Sequence, residues 1–276
     1  KLTAGQEVRL PPFIHYEDKP KISNRKLLYN LSERILYCDE NLIVIDKPYG
    51  LAVQGGSKIV DSVDSMLNSL NSDYNETPRL VHRIDRNTSG VLMLARNLKA
   101  SNKIQESFLS SKVKKLYWAI VFGKPKNDYG IIELPLKKKN INISYEKVVV
   151  DNDGDKAISM YKVIDTRENY SWLLLSPITG RTHQLRVHCA EIGCPIVGDK
   201  KYYGQGKIKN NSNYVFNMTQ LFSRKVILGY EYNEIISVEA PIPPHMKSIF
   251  DHIGFKYDCN KLYEIEKNFE KKIYNS

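Results

Sequence analysis

The 276-residue chain has few cysteines and no long uninterrupted apolar run. Its four cysteines, Cys38, Cys189, Cys194 and Cys259, form no C-x-x-C pair, which favours reduced thiols over a disulfide framework. No apolar stretch approaches the roughly 20 residues that a helix needs to cross a bilayer. No signal peptide opens the sequence either. We therefore expect a cytoplasmic protein that is not embedded in a membrane.

Acidic residues are too few to balance the basic ones. Lys and Arg total 41 against 31 Asp and Glu, which gives a formal charge of +10 and a pI near 9.2. A chain of this charge favours a polyanionic partner, and nucleic acid is the commonest partner of that kind.

Sequence patterns for nucleotides and metals are also missing. No G-x-x-x-x-G-K-[ST] spacing is present, which argues against a phosphate-cradling nucleotide site. Residues 151–155 alternate Asp like a calcium loop, but Lys156 and Lys162 occupy the positions of its glycine and its bidentate glutamate, so a plain turn is predicted. His183 and His188 are five residues apart and do not share a helical face as an i, i+4 pair would. No metal site is predicted.

One stretch is unusual in its charges. Residues 82–90 read His-Arg-Ile-Asp-Arg-Asn-Thr-Ser-Gly and lead into the apolar run 91–95. Asp85 is flanked by Arg83 and Arg86, and nearby positive charge favours an ionised carboxylate, which can act as a nucleophile or a base. An isolated R-x-D-R is more often a turn with surface ion pairs, so the surrounding sequence has to decide.

Two later stretches carry further polar residues beside predicted elements. Residues 115–123 read as a strand, in which Tyr117 taken alone is a packed aromatic. Residues 179–188 read Thr-Gly-Arg-Thr-His-Gln-Leu-Arg-Val-His and enter a predicted helix, with Thr182 as its N-cap and Gly193 at its end.

Together these stretches resemble the signatures of the RluA/RluC class of pseudouridine synthases, and of its RluC-like branch in particular. Residues 82–90 match H-R-L-D-R-x-T-S-G except for Ile84, and residues 115–119 match K-x-Y-x-A. Residues 179–188 match T-G-R-x-H-Q-[IL]-R-V-H at every defined position, and Lys47 with Pro48 fits N/D-K-P. Agreement of separated motifs in order and spacing makes a chance match very improbable.

The resemblance implies both a fold and a reaction. The fold is α+β, with a mixed, mostly antiparallel sheet, surrounding helices and an RNA-binding cleft. The reaction converts uridine to pseudouridine in RNA, most simply large-subunit ribosomal RNA, with no cofactor or metal. Asp85 is implied to be catalytic, Tyr117 to lie against the base and Arg186 to pair with Asp85.

The resemblance also implies contacts with RNA. Because the target uridine must leave its stack, Arg83 is expected to fill the vacated space. Four further residues are predicted to contact RNA: Arg86, Arg181, Lys47 and His183. One departure is Phe222, which stands where the family usually has a histidine, and this puts the wall of the pocket in doubt.

We expect three regions in a monomeric protein. Residues 1–31 resemble the end of a ribosomal-S-four-like RNA-binding domain with its linker, residues 32–256 form the catalytic domain, and residues 257–276 form an amphipathic helix. Two alternatives to the enzyme remain. A non-catalytic ribosome assembly factor would keep the charge without needing Asp85, Tyr117 and Arg186 together, whereas a glycoside hydrolase would need a second positioned acid.

Overall fold

The computed structural model describes residues 30–56, 61–70, 76–110, 112–142, 145–203, 214–229 and 235–274. Residues 1–31 were expected to be the remnant of an RNA-binding domain. Residues 1–29 of this segment lie outside the described residues. None of the helices in the described ranges is both long enough and apolar enough to span a bilayer.

Twelve strands and five α-helices make up the described fold. The strands are β1 (Ile35–Cys38), β2 (Leu42–Lys47), β3 (Arg79–Leu80), β4 (Ser89–Ala95), β5 (Val113–Phe122), β6 (Tyr129–Glu133), β7 (Leu136–Asn142), β8 (Tyr145–Val150), β9 (Ile158–Arg167), β10 (Tyr170–Pro177), β11 (Leu221–Gly229) and β12 (Ile235–Glu239). The helices are α1 (Val63–Met66), α2 (Leu98–Leu109), α3 (Gln184–Glu191), α4 (Pro244–Ile253) and α5 (Cys259–Tyr274).

Ten of these strands form one sheet in the order β1-β2-β4-β11-β5-β10-β9-β6, with β3 paired to β4 and β12 to β11. The contact between β4 and β11 is parallel, whereas the other strand pairs in the described chain are antiparallel. The remaining strands, β7 and β8, form a separate hairpin. The predicted α+β fold with a mixed, mostly antiparallel sheet is confirmed.

The central strand β5 contributes to a core on each face of the sheet. Successive side chains of a strand point to opposite faces, and Trp118 and Ile120 accordingly pack on one side with apolar residues of α4 and α5. Tyr117 and Ala119 face the other side, which is covered by residues of α1 and α3. The catalytic candidates therefore belong to the face that carries α3.

Helix α5 packs on the opposite face. Its apolar side chains Leu262, Phe269 and Ile273 are buried in the core that contains Trp118. The buried Glu266 also accepts a hydrogen bond of 2.9 Å from the indole nitrogen of Trp118. The apolar stripe of this 16-residue helix is thus covered by the protein's own sheet.

Candidate active site

A cleft of about 1030 Å³ opens on the face that carries α3. Its walls come from the loop before β4, from β5 and from the segment between β10 and α3. Asp85, Tyr117 and Arg186 all line it, although they are far apart in the sequence. The structure therefore brings the three predicted catalytic residues together.

The loop that carries Asp85 is fixed by a close backbone approach. The Thr88 amide donates to the Asp85 carbonyl at 3.0 Å, which closes a turn. Gly90 follows with a φ of +102°, and a Cβ there would lie 2.2 Å from the carbonyl oxygen of Ser223. Only glycine fits where β4 begins beside β11, so the Ser-Gly end of the motif is explained by packing.

The buried side chain of Lys47 is hydrogen-bonded to this loop. The side chain is 0% exposed, and its ammonium donates to the carbonyl oxygens of Pro48, Leu51 and Arg86 at 2.9, 2.7 and 3.2 Å. Burial lowers the pKa of Lys47 to about 7, while the charge of Asp85 acts in the opposite direction. The prediction that Lys47 contacts RNA is wrong, because its donors are used within the protein.

Arg186 connects two carboxylates. Its Nη1 donates to Asp85 Oδ2 at 2.9 Å, and its Nε and Nη2 donate to the two oxygens of Asp199 at 2.7 and 2.8 Å. Burial alone would lower the pKa of Arg186, but the hydrogen bonds and charges of Asp199 and Asp85 outweigh it and raise the pKa. A permanently charged guanidinium thus orients one oxygen of Asp85.

Asp199 and Tyr202 complete this arrangement, and neither was predicted. Asp199 is 1% exposed and also accepts the backbone amides of Lys201 and Tyr202. The Tyr202 ring lies under the Arg186 guanidinium, 5.0 Å from ring centroid to Cζ. The sequence did carry a signal for these two residues. An apolar run, 195–197, is followed by Gly198 and Asp199, and two adjacent tyrosines stand at 202 and 203.

His183 has a left-handed backbone, with a φ of 55°, and it is the N-cap of α3. The predicted cap, Thr182, is therefore off by one residue. The Val148 amide donates to Tyr202 Oη at 3.2 Å, and the same phenol oxygen forms a hydrogen bond of 2.7 Å with His183 Nδ1. Burial lowers the pKa of His183, which favours the neutral ring, and its Nε2 lies 3.9 Å from Asp85 Oδ2.

Tyr117 forms the floor of the cleft on β5. The side chain is 8% exposed, and burial raises the pKa of its phenol, while a hydrogen bond with Ser223 acts against this and the charge of Asp85 adds to it. The group is therefore a neutral phenol at physiological pH. It can offer a ring face and a hydrogen bond to a base in the cleft.

Three arginines stand at the exposed rim of the cleft. Each is bonded within the protein: Arg83 to Gln54 Oε1 at 2.8 Å, Arg86 to the Gly50 carbonyl at 2.8 Å and Arg181 to the Lys156 carbonyl at 3.1 Å. Neither Arg83 nor Arg86 forms an ion pair with Asp85 among the described residues, whereas Arg186 does, as the resemblance implied.

Phe222 does not belong to the wall of the cleft. It is 0% exposed and lies at 6.0 Å from Trp118, ring to ring, in the core of the opposite face. Its neighbour Leu221 lines the cleft, because adjacent strand residues face opposite ways. The doubt about the pocket wall is thus removed. Within the described ranges, no group of three or more His, Cys, Asp or Glu is arranged to hold a metal ion.

A family model described as RNA pseudouridylate synthase matches residues 41–191. The chain belongs to the RNA pseudouridylate synthase family. The match includes the loop of Asp85, the strand of Tyr117 and the helix of Arg186. The prediction of an enzyme that forms pseudouridine in RNA is therefore confirmed.

Known members of the RNA pseudouridylate synthase family are similar over most of the chain. "Ribosomal large subunit pseudouridine synthase C" of Rickettsia bellii is 40% identical over 220 residues, which cover 79% of this chain and 71% of that protein. "RNA pseudouridine synthase 4, mitochondrial" of Arabidopsis thaliana is 43% identical, covering 90% of this chain and 59% of that protein. The structure of "Human RNA Pseudouridylate Synthase Domain Containing 4" superposes with a TM-score of 0.70 at 27% identity, covering 84% of this chain and 97% of that one.

Proposed function

We propose that this pseudouridine synthase acts on large-subunit ribosomal RNA and that Asp85 is its catalytic carboxylate. The observation that carries the proposal is the 2.9 Å bond between Arg186 and Asp85 inside the cleft. Arg186 is itself held by the buried Asp199. The RNA class rests on the name of the Rickettsia bellii relative and on the +10 charge of the chain.

The reaction rearranges one nucleoside without a second substrate. The N1–C1′ bond of uridine breaks, the uracil rotates, and a new bond forms between C5 and C1′. The proton on C5 leaves and N1 gains one, so atoms and electrons balance within the substrate and water. Neither an electron carrier nor a metal is required by this balance.

Asp85 faces the sugar in this proposal. It attacks C1′ as a nucleophile or removes a proton as the initiating base, and both routes need a carboxylate with one free oxygen edge. Arg186 fixes the carboxylate through Oδ2, which leaves Oδ1 for the substrate. A helical stack would hide C1′ and C5 from this carboxylate, so the uridine is flipped out, and Arg83 at the rim fills the space it leaves.

Tyr117 stacks on the flipped uracil. Its raised pKa keeps the phenol protonated, so it serves as a relay rather than as a phenolate base: its oxygen accepts the C5 proton as its own hydrogen passes to water. Arg86 and Arg181 contact backbone phosphates from the rim, and His183 contacts the RNA beside Asp85.

The proposal extends to the organisation of the protein. Residues 32–256 form the catalytic unit, and α5 (Cys259–Tyr274) adds an amphipathic helix to it. The protein acts as a monomer in the cytoplasm, where ribosomal RNA is available.

Release of tritium from RNA that carries [5-³H]uridine tests the function. Large-subunit ribosomal RNA transcribed without modification should lose tritium, and the product should contain pseudouridine in equal amount. RNA binding without tritium release would support an assembly factor instead. Appearance of free uracil would indicate a hydrolase, because the base would then leave the enzyme rather than rejoin the sugar.

A further inference from the structure

A lysine lies in the cleft beside the catalytic candidates. Lys115 is two residues before Tyr117 on β5, and residues two apart on a strand point to the same face about 6.6 Å apart. It lines the same cleft as Asp85 and Tyr117. The function described above gives this lysine no role.

The surroundings of Lys115 are apolar or uncharged. Its Nζ lies 5.7 Å from the centroid of the Phe108 ring. Gly180 stands on the facing segment, where a Cβ would touch Nζ at 3.8 Å, so the missing side chain of this glycine leaves space beside the ammonium. No carboxylate in the described part of the chain is within ion-pair distance of it.

A cation without a counter-ion is costly where water is partly excluded. Burial lowers the pKa of Lys115 to about 8. The titratable neighbour is His82, whose ring is tilted against that of Phe108 at 5.0 Å between centroids. Burial first and then the charge of Lys115 lower the pKa of His82 to about 3, so it stays neutral. A negatively charged ligand would therefore supply the counter-ion that Lys115 lacks and offset the cost of burying its charge.

We propose that Lys115 binds a backbone phosphate adjacent to the flipped uridine. This inference rests on the proposed function, because it takes RNA as the substrate. Rotation of a nucleotide out of the stack brings its flanking phosphates to the mouth of the pocket, whereas uracil itself carries no charge. An ammonium on a flexible stem is a suitable point charge for a single phosphate oxygen.

Substitution of Lys115 tests this assignment. Lys115→Met removes the charge, Lys115→Arg keeps it, and Lys261→Met on α5 is a control that removes an exposed charge on the other face. The binding constant for unmodified ribosomal RNA fragments is measured at several salt concentrations by filter binding. Single-turnover tritium release at saturating enzyme is measured in parallel.

For Lys115→Met we expect binding at least about ten-fold weaker. The slope of log K against log salt should become shallower by about 0.7, the share of one phosphate contact on a single strand. The rate at saturating enzyme should stay within about two-fold of wild type, because a phosphate contact stabilises the bound substrate and the transition state equally. Lys115→Arg should restore the slope, and Lys261→Met should keep both quantities.

Two results would overturn the assignment. An unchanged salt slope with a reduced saturating rate would mean that Lys115 acts on the base, and unchanged binding and rate would mean that it contacts no part of the substrate. Failure of the proposed function is distinguishable, because wild-type protein would then release no tritium whatever the salt slopes were.

Discussion

Among single residues, Arg186 decides the geometry of the candidate site. Its Nε and Nη2 donate hydrogen bonds to Asp199, and its Nη1 donates one to Asp85. The Tyr202 ring packs against the face of the guanidinium. A fork of fixed donors can orient a carboxylate in a way that a lysine ammonium cannot. Asp199 therefore positions Asp85 through Arg186 without touching the substrate.

Asp199→Asn should destabilise the protein and lower its turnover together. The substitution leaves Arg186 buried with one charged partner, and breaking a buried pair costs about 3–5 kcal/mol. Urea denaturation and single-turnover tritium release measure the two effects. Glu146→Gln, which removes an exposed ion pair with Lys138, is the matched control and should change neither. A wild-type rate per folded molecule in Asp199→Asn would contradict the positioning role.

Tyr117→Phe separates the ring from the hydroxyl. The variant should keep its affinity for RNA, because the stacking face remains, and should release tritium roughly 100-fold more slowly, because proton transfer loses its relay. Tyr170→Phe, on β10 outside the cleft, is the control. A normal rate in Tyr117→Phe would restrict the role of Tyr117 to stacking.

The sequence predicted which residues meet but not how each side chain is used. Asp85, Tyr117 and Arg186 were named by their motifs and do line one cleft. Arg83 and Arg86 were also expected to place positive charge beside Asp85, but adjacency in the chain does not fix side-chain direction. The pair that forms is the one implied for Arg186, which comes from α3. The burial of Lys47 contradicts the usual exposure of lysine and depends on three carbonyls that only the fold brings together.

At the scale of elements, Lys47 joins the end of β2 to the loop of Asp85. An unfolded lysine has a pKa of about 10.4, whereas burial lowers that of Lys47 to about 7 in the folded protein. Between these values the unfolded chain binds more protons, so this residue makes the free energy of unfolding rise with pH. Below pH 7 both states are protonated and the full cost of burying the charge is present.

Lys47→Met should remove that part of the pH dependence. Between about pH 7.5 and 9.5, the slope of the unfolding free energy against pH should be lower than in wild type by up to about 1.4 kcal/mol per pH unit. Urea denaturation at several pH values measures it. Identical slopes in the two proteins would mean that Lys47 titrates as it does in the unfolded chain.

Phe269→Ala tests how α5 contributes. Phe269 is 2% exposed, and truncation of a buried phenylalanine costs about 3–5 kcal/mol. Turnover per folded molecule should not change, because α5 packs on the face opposite the cleft. Tyr263→Ala, at an exposed position of the same helix, should leave stability nearly unchanged. A loss of turnover at full stability would connect α5 to the active site.

In the molecule as a whole, one ten-stranded sheet has an apolar core on each face, and the cleft lies on the face that carries α3. Its strands and most helices could be expected from apolar patterns, but their order could not. The parallel contact of β4 with β11 pairs Ser89 with Phe222, and such long-range pairing leaves no local signal. For the same reason the sequence placed Phe222 in the pocket wall, whereas the topology buries it behind the sheet.

The central claim is that Asp85 performs the chemistry on a uridine drawn into the cleft. Single-turnover tritium release by Asp85→Asn, at saturating enzyme and with RNA binding and stability verified, tests it most directly. Asp251→Asn, an exposed position on α4, is the control and should react like wild type. The account predicts a rate reduced by at least roughly 1,000-fold with RNA still bound. A rate near that of wild type in folded Asp85→Asn would contradict it.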